Sequence, residues 1–172
     1  INWRDDQPST LVFAEALDGG DQAKNVEFRD EIFVWEAPFA AAPKSFFKTK
    51  QRFDGIDWTN GDYAIISDEW YDTRNTKSYL HNLKDNSSKI IVDRNSQDVY
   101  SDPGSFTETK NKFGRNVIEI TNNKAHLTGA GFTKEGQFPF IDEFDFGTST
   151  KKRIYTSKLK NSKENIVDIL DA

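Results

Sequence analysis

The sequence predicts an all-β fold, read as consecutive four-stranded antiparallel blades of an incomplete β-propeller. Three observations carry this. Residues 56–94 hold four short strand-like runs separated by polar turns, about the size of one propeller blade. The same alternation of strands and turns recurs on both sides of that stretch, in units of about 50 residues. The 172 residues also include 14 Phe, 5 Tyr and 4 Trp within a hydrophobic share of only 35%, and aromatic residues suit a pleated, half-buried surface. A β-sandwich or an irregular β-domain would satisfy the same pattern. Three blades are fewer than the four to eight that usually close a ring. The chain has no Met and starts with Ile1, so it reads as an excised piece of a longer chain.

In chain order, Thr10 to Leu17 reads as a strand ended by the turn residues Asp18-Gly19-Gly20-Asp21. A polar loop over 18–29 leads to a strand over Asp30 to Glu36, with Ile32-Phe33-Val34-Trp35 at its centre. Pro38 and Pro43 bracket a break, and Ser45 to Thr49 follows as a short strand. A run ending at Trp58 meets Asn60-Gly61, a strong hairpin signal. Strands over Tyr63 to Trp70, Thr76 to Leu83 and Lys89 to Asp93 are joined by polar turns. Beyond the Pro103-Gly104 turn, strands are expected over Phe106 to Lys110, Asn116 to Thr121, Phe138 to Phe146 and Lys152 to Thr156, with 122–137 as a long connection. The expected blades are 1–52, 53–104 and 105–157, and 158–172 opens a further blade, a short helix or a tail.

Net charge is −5 with both signs interspersed, the pattern of a solvated surface, and it argues against a nucleic-acid partner. No apolar run approaches the ~18 residues of a membrane span, and no signal peptide is seen. The absence of Cys excludes thiol catalysis and Cys-based zinc sites, and leaves a periplasmic or secreted home open. The compartment itself is not readable.

Chemistry-bearing patterns are sparse. No G-x-S-x-G nucleophile elbow occurs. His81 falls in a strand and His126 in a polar loop, with no paired spacing for a metal. The stretch Asp93 to Asp98 lacks the turn Gly and closing Glu of a calcium loop. Asp68 and Glu69, with Asp142, Glu143 and Asp145, could form a glycosidase-type pair, but alternation places them on a polar outward face. No catalytic residue, metal ligand or cofactor site is therefore expected. Trp3, Trp58, Trp70 and Tyr71 fit packing between blades, or stacking on a peptide or sugar.

Four stretches, Trp3–Asp21, Glu69–Tyr79, Asp93–Ser105 and Gly129–Tyr155, resemble one family in order and spacing. It is the glutamyl endopeptidase branch of the prolyl oligopeptidase family, which has plant chloroplast members. The resemblance implies a propeller that restricts access to a C-terminal α/β-hydrolase domain, with the Ser, Asp and His triad in the hydrolase part and cleavage after Glu. Such a parent would take peptide substrates, and this chain would lie wholly within the propeller. The alternative is a free-standing propeller-type module that binds a peptide or glycan.

Two further expectations follow. Strands of a blade alternate in direction, so the loops 18–29, 72–75, 94–104 and 122–137 should share one face. Long loops on a rigid scaffold are where binding residues concentrate. Arg74 and Arg94 lie there, and an Arg fork suits a carboxylate; they are the candidate substrate-binding residues, with their own turn acids Asp72 and Asp98 as competing partners. An open set of blades should also expose rings such as Trp3, Phe13 or Trp35 in the first and Phe138, Phe140 or Phe144 in the last. Self-association, most simply as a symmetric dimer through a blade face, or only marginal stability of the chain alone is the expected consequence.

Overall fold

A computed structural model of the chain describes residues 1–159, 162, 164–167 and 169. It contains three four-stranded antiparallel sheets in succession. The first has the order β1 (Asn2–Trp3), β2 (Thr10–Ala16), β3 (Asp30–Glu36), β4 (Lys44–Thr49). The second has β5 (Arg52–Trp58), β6 (Tyr63–Trp70), β7 (Asn75–Asn82), β8 (Ser88–Asn95). The third combines β9 (Ser105–Phe106), β12 (Lys124–Gly129), β15 (Phe140–Asp145) and β16 (Thr150–Thr156) in the order β16-β15-β12-β9. Two-stranded ribbons, β10 (Glu108–Lys110) with β11 (Asn116–Ile118) and β13 (Phe132–Thr133) with β14 (Gly136–Gln137), are inserted within the third sheet's stretch of chain, the first between β9 and β12 and the second between β12 and β15. The all-β class and the consecutive four-stranded antiparallel blades are those the sequence predicts, and no sheet closes on itself.

The turns follow from local chemistry. After β5, Thr59 is 1% exposed; its Oγ1 accepts from Gly61 N at 3.1 Å and its hydroxyl donates to the Tyr63 carbonyl at 2.7 Å. After β7, Asn82 Oδ1 accepts from Lys84 N and Asp85 Oδ1 from Ser87 N. After β2, Asp18 Oδ1 accepts from Gly20 N at 2.8 Å, with Gly19 and Gly20 at φ +67 and +81, a region glycine enters without penalty.

Two compact units form, residues 1–95 with 110–117, and residues 96–109 with 118 onward. The first is built on Val12, Ile32, Val34, Trp58, Ala64, Ile66 and Val117, with Phe46, Phe47, Phe53, Ile56 and Tyr79 packed against them. On β3, Asp30, Ile32 and Val34 are buried and alternate with half-buried neighbours, the period of two that a one-sided sheet requires. Val117 belongs to this core although it lies 22 residues beyond β8. The second unit packs Phe106, Phe144 and Phe146 with ring centroids 5.0–6.0 Å apart.

Several expectations need correction. The second strand of the third sheet is Lys124–Gly129, inside the stretch read as a connection. Asn116–Ile118, the better β-former, is instead diverted to the ribbon, where Val117 and Ile118 are 1% exposed. Tertiary burial overrides local propensity there. His126 is accordingly a half-buried strand residue opposite Glu143, not part of a loop. Asp68 and Asp142 do not face outward, being 0% and 4% exposed. Phe140 and Phe144 are 3% exposed, so they are core rings and not an open edge, whereas Trp3 is 49% exposed. Of the stretch 158–172, the described residues carry no helix or strand, and Leu170 lies outside them.

Candidate functional site

The first unit carries most of the polar construction. Asp18, with a side chain 0% exposed, receives Arg29 Nη1 at 2.9 Å and Arg52 Nη2 at 2.5 Å. Arg52 Nη1 also reaches Asp30 Oδ1 at 2.6 Å, and Asp30 Oδ2 accepts from Phe53 N at 2.7 Å. The hydrogen bond from Arg52 holds the Asp18 carboxyl well below the usual carboxylate range, and the Arg52 guanidinium is raised in turn. This network fastens the β2–β3 loop to the start of β5. Arg29 then lies with its guanidinium carbon 4.6 Å from the Trp70 ring. The β2–β3 loop and the end of β6 thus meet at one end of the unit.

At that end sits Arg74, in the β6–β7 turn with φ 56, stacked 3.7 Å from the ring of Tyr71. Arg94 lies on β8 opposite Thr76 and donates to the Asn95 carbonyl at 3.2 Å. The register therefore brings both candidate arginines to the same end of the second sheet. Arg74 uses an aromatic face for support, a partner the sequence reading did not assign to it.

Behind them, Asp68 Oδ2 accepts from Gln51 N at 3.1 Å and from the Tyr79 hydroxyl at 3.0 Å, while Oδ1 has no partner. Burial pushes the Asp68 carboxyl up, and burial together with the Asp68 charge pushes the Tyr79 phenol up. These shifts come with a structural tie between the β4–β5 link and β6.

His81 is 2% exposed, with Nδ1 2.8 Å from Ser88 Oγ, Nε2 unpartnered, and the rings of Phe46 and Phe47 centred 5.0 and 5.5 Å away. Burial lowers its pKa, which favours the neutral ring in the fold. The unfolded chain takes up the proton more readily as pH falls through about 6.5, so stability declines below that value. His81→Asn, which keeps an acceptor near Ser88, is expected to remove this component. The check is the difference between wild-type and variant denaturant midpoints from pH 7.5 to 5, a difference in which the carboxylates cancel. A pH-independent difference would show that His81 does not titrate this way.

Both units carry concavities. In the first unit a groove of about 790 Å³ runs between Asn2–Trp3, Val12–Ala14 and residues 53–58, with Asp5 and Arg115 also lining it. In the second unit a pocket of about 250 Å³ is walled by Tyr100, Phe132, Phe138 and Phe140. Arg153 stacks 3.7 Å from the Phe140 ring while it pairs with the buried Asp142 on the neighbouring strand. Among the described residues no group of three His, Cys, Asp or Glu side chains could hold a metal.

Over 99% of its length the chain is 37% identical to a chloroplastic protein of Arabidopsis thaliana described as a probable glutamyl endopeptidase. It is similar along its whole length to one segment of the glutamyl endopeptidases. A protein of Oryza sativa subsp. japonica with the same description is 36% identical, again over 99% of this chain. The chain spans about a fifth of the length of these two glutamyl endopeptidases, 19% of each. Among solved structures, TolB from Acinetobacter baumannii aligns with a TM-score of 0.44 at 13% identity, covering 86% of this chain and 30% of that one. No family model matches the chain.

Proposed function

We propose that this chain is the non-catalytic propeller segment of a longer serine peptidase of the prolyl oligopeptidase type. It gates or positions peptide substrates for an α/β-hydrolase domain that carries the Ser, Asp and His triad, and the parent enzyme cleaves after Glu. The observation that supports this most is the 37% identity along 99% of the chain to a segment of a glutamyl endopeptidase. The chain's own chemistry agrees with it: the sequence holds no G-x-S-x-G, and the buried Asp68 and His81 sit in packing roles.

In this reading the 172-residue chain shows no turnover of a Glu-containing fluorogenic peptide, and the parent enzyme loses turnover when a serine-reactive inhibitor is added. Inhibitor-sensitive turnover by the chain itself would overturn it. The coding sequence beyond Ala172 gives a second check. A downstream G-x-S-x-G followed by Asp and His supports the peptidase, and a stop codon supports a free-standing module that binds a peptide or glycan.

Arg74 and Arg94 are assigned to recognition of the substrate's Glu carboxylate, on the ground that both come to one end of the second sheet. Arg74→Ala or Arg94→Ala in the parent enzyme is expected to lower the preference for Glu over Gln substrates about tenfold, the size of a lost charge-assisted hydrogen bond. An unchanged ratio with altered stability would make them supports of their own turns.

A further inference from the structure

Two adjacent rings close the end of β6, and each carries a guanidinium. Trp70 is half-buried and lies under Arg29, whose Nη1 is taken up by the buried Asp18 at 2.9 Å. Tyr71 is 65% exposed and lies under Arg74 at 3.7 Å. A ring that open to solvent fills no core, so interior packing does not account for it. The two guanidinium groups also differ in what they meet. Among the described residues no carboxylate pairs with that of Arg74, Asp72 of its own turn included.

The β6–β7 turn is held without the Arg74 side chain. Arg74 N donates to the Tyr71 carbonyl at 3.3 Å, Asn75 N to Thr73 Oγ1 at 3.3 Å, and Asn95 Nδ2 to the Thr73 carbonyl at 3.3 Å. Asn75 Nδ2 adds Asp93 Oδ1 at 2.8 Å and the Arg94 carbonyl at 3.2 Å. The backbone at Arg74 is left-handed, with φ 56, a region where a long side chain is uncommon and Gly or Asn costs less. Asn86, Asn122 and Asn123 occupy that region elsewhere in the chain. A residue held against this preference, with a side chain its own turn does not use, points to a role outside the turn.

We infer that Tyr71 is the positioning residue that holds Arg74 for the Glu carboxylate of a peptide substrate. With its carbon 3.7 Å from the ring centroid, the guanidinium lies over the face of Tyr71. Its face is thereby occupied, and its edge, where the N–H donors lie, is the side a carboxylate meets bidentately. The ring fixes the plane of that fork before substrate arrives, which lessens the side-chain freedom lost on binding. The inference rests on the assignment of Arg74 made above and adds the residue that makes the assignment geometrically specific.

The test uses the parent enzyme with matched Glu and Gln peptide substrates, KM and kcat being measured separately. Tyr71→Ala and Tyr71→Leu are expected to raise KM for the Glu substrate about two- to fivefold, the worth of a cation–π contact at an exposed site. Unchanged kcat and an unaffected Gln substrate are expected with it. Tyr71→Phe keeps the ring face and is expected to keep the wild-type Glu-to-Gln ratio. In an Arg74→Ala background, Tyr71→Ala is expected to change nothing further. The ratio is internal to each variant, so a change in folded fraction cancels from it. Equal losses on both substrates overturn the inference, as does a Tyr71→Phe variant as impaired as Tyr71→Ala. A ratio lowered by Arg74→Ala but not by Tyr71→Ala or Tyr71→Leu removes Tyr71 and leaves the Arg74 assignment standing. A ratio unchanged in Arg74→Ala removes both, and the turnover test of the peptidase reading is untouched by either result.

Discussion

Replacing Trp58 with Ala is expected to destabilise the first unit by about 3–5 kcal/mol, the usual cost of deleting a large buried ring. Trp58 is 2% exposed, centred 5.4 Å from the Phe46 ring, and capped by the Arg4 guanidinium at 4.0 Å. Its loss opens a hole bounded by rigid strands and strips Arg4 of an aromatic platform, so the site collapses poorly. Against a typical domain stability of about 5–15 kcal/mol, this variant should melt far below the wild type. Trp58→Phe, which keeps most of the ring, should recover the larger part. A Trp58→Ala midpoint within a degree or two of wild type would mean that the core does not depend on this position. Chemical denaturation followed by circular dichroism measures both.

The second large effect is expected at Arg52. Arg52→Met leaves Asp18 and Asp30 facing each other across the start of β5 without the guanidinium that joins them. Breaking a buried pair from one side costs about 3–5 kcal/mol. Because Arg52 retains 26% side-chain exposure, solvent offsets part of this, and about 2–3 kcal/mol is expected. The sign with pH is fixed by the depressed Asp18 carboxyl. Its stabilisation is fully present above the unfolded value of about 3.9 and is lost as pH falls toward the folded one, so the gap between wild type and Arg52→Met narrows below about pH 4. Adding Asp18→Asn to Arg52→Met should restore part of the loss, since Asp18, then held by Arg29 alone, no longer repels Asp30. A double variant no more stable than the single one would show that Arg52 acts through packing alone.

The sheets were legible in the sequence because each turn carried its own chemistry. Asn60-Gly61, Asp85 with Asn86, and Asp18-Gly19-Gly20 mark chain reversals that the structure makes, and Ile32 and Val34 alternate with half-buried neighbours as one-sided strands must. Lys124–Gly129 was not legible. Its residues are weaker strand formers than Asn116–Ile120, and only long-range pairing with Phe140–Asp145 recruits it. The buried carboxylates were hidden for a related reason. Asp18 owes its burial to Arg52, 34 residues away, and Asp142 to Arg153 on the next strand, partners that no local window contains. For the candidate site, the sequence named Arg74 and Arg94, but it put Arg94 in a loop where the structure has the strand β8, and it gave no sign of the Tyr71 support. It equally concealed the groove, whose walls come from residues 1–5, 12–14 and 53–58.

The ribbon between β9 and β12 has a consequence for how the molecule comes into being. Asn111 and Arg115 hold the carbonyls of residues 4–8, contacts that span 106 to 111 positions of sequence, and Val117 completes the same core. During synthesis at roughly 5–20 residues per second, the first sheet waits about 5–20 seconds for these partners to be made, and longer for them to clear the ribosome. Throughout that interval its inner edge and apolar face stay open to solvent and to neighbouring nascent chains. The first sheet is thus translated before the second but cannot be finished until residues 111–117 have been made. This favours hand-over to a chaperone at that stage, and it makes the 110–117 ribbon the step at which the fold commits.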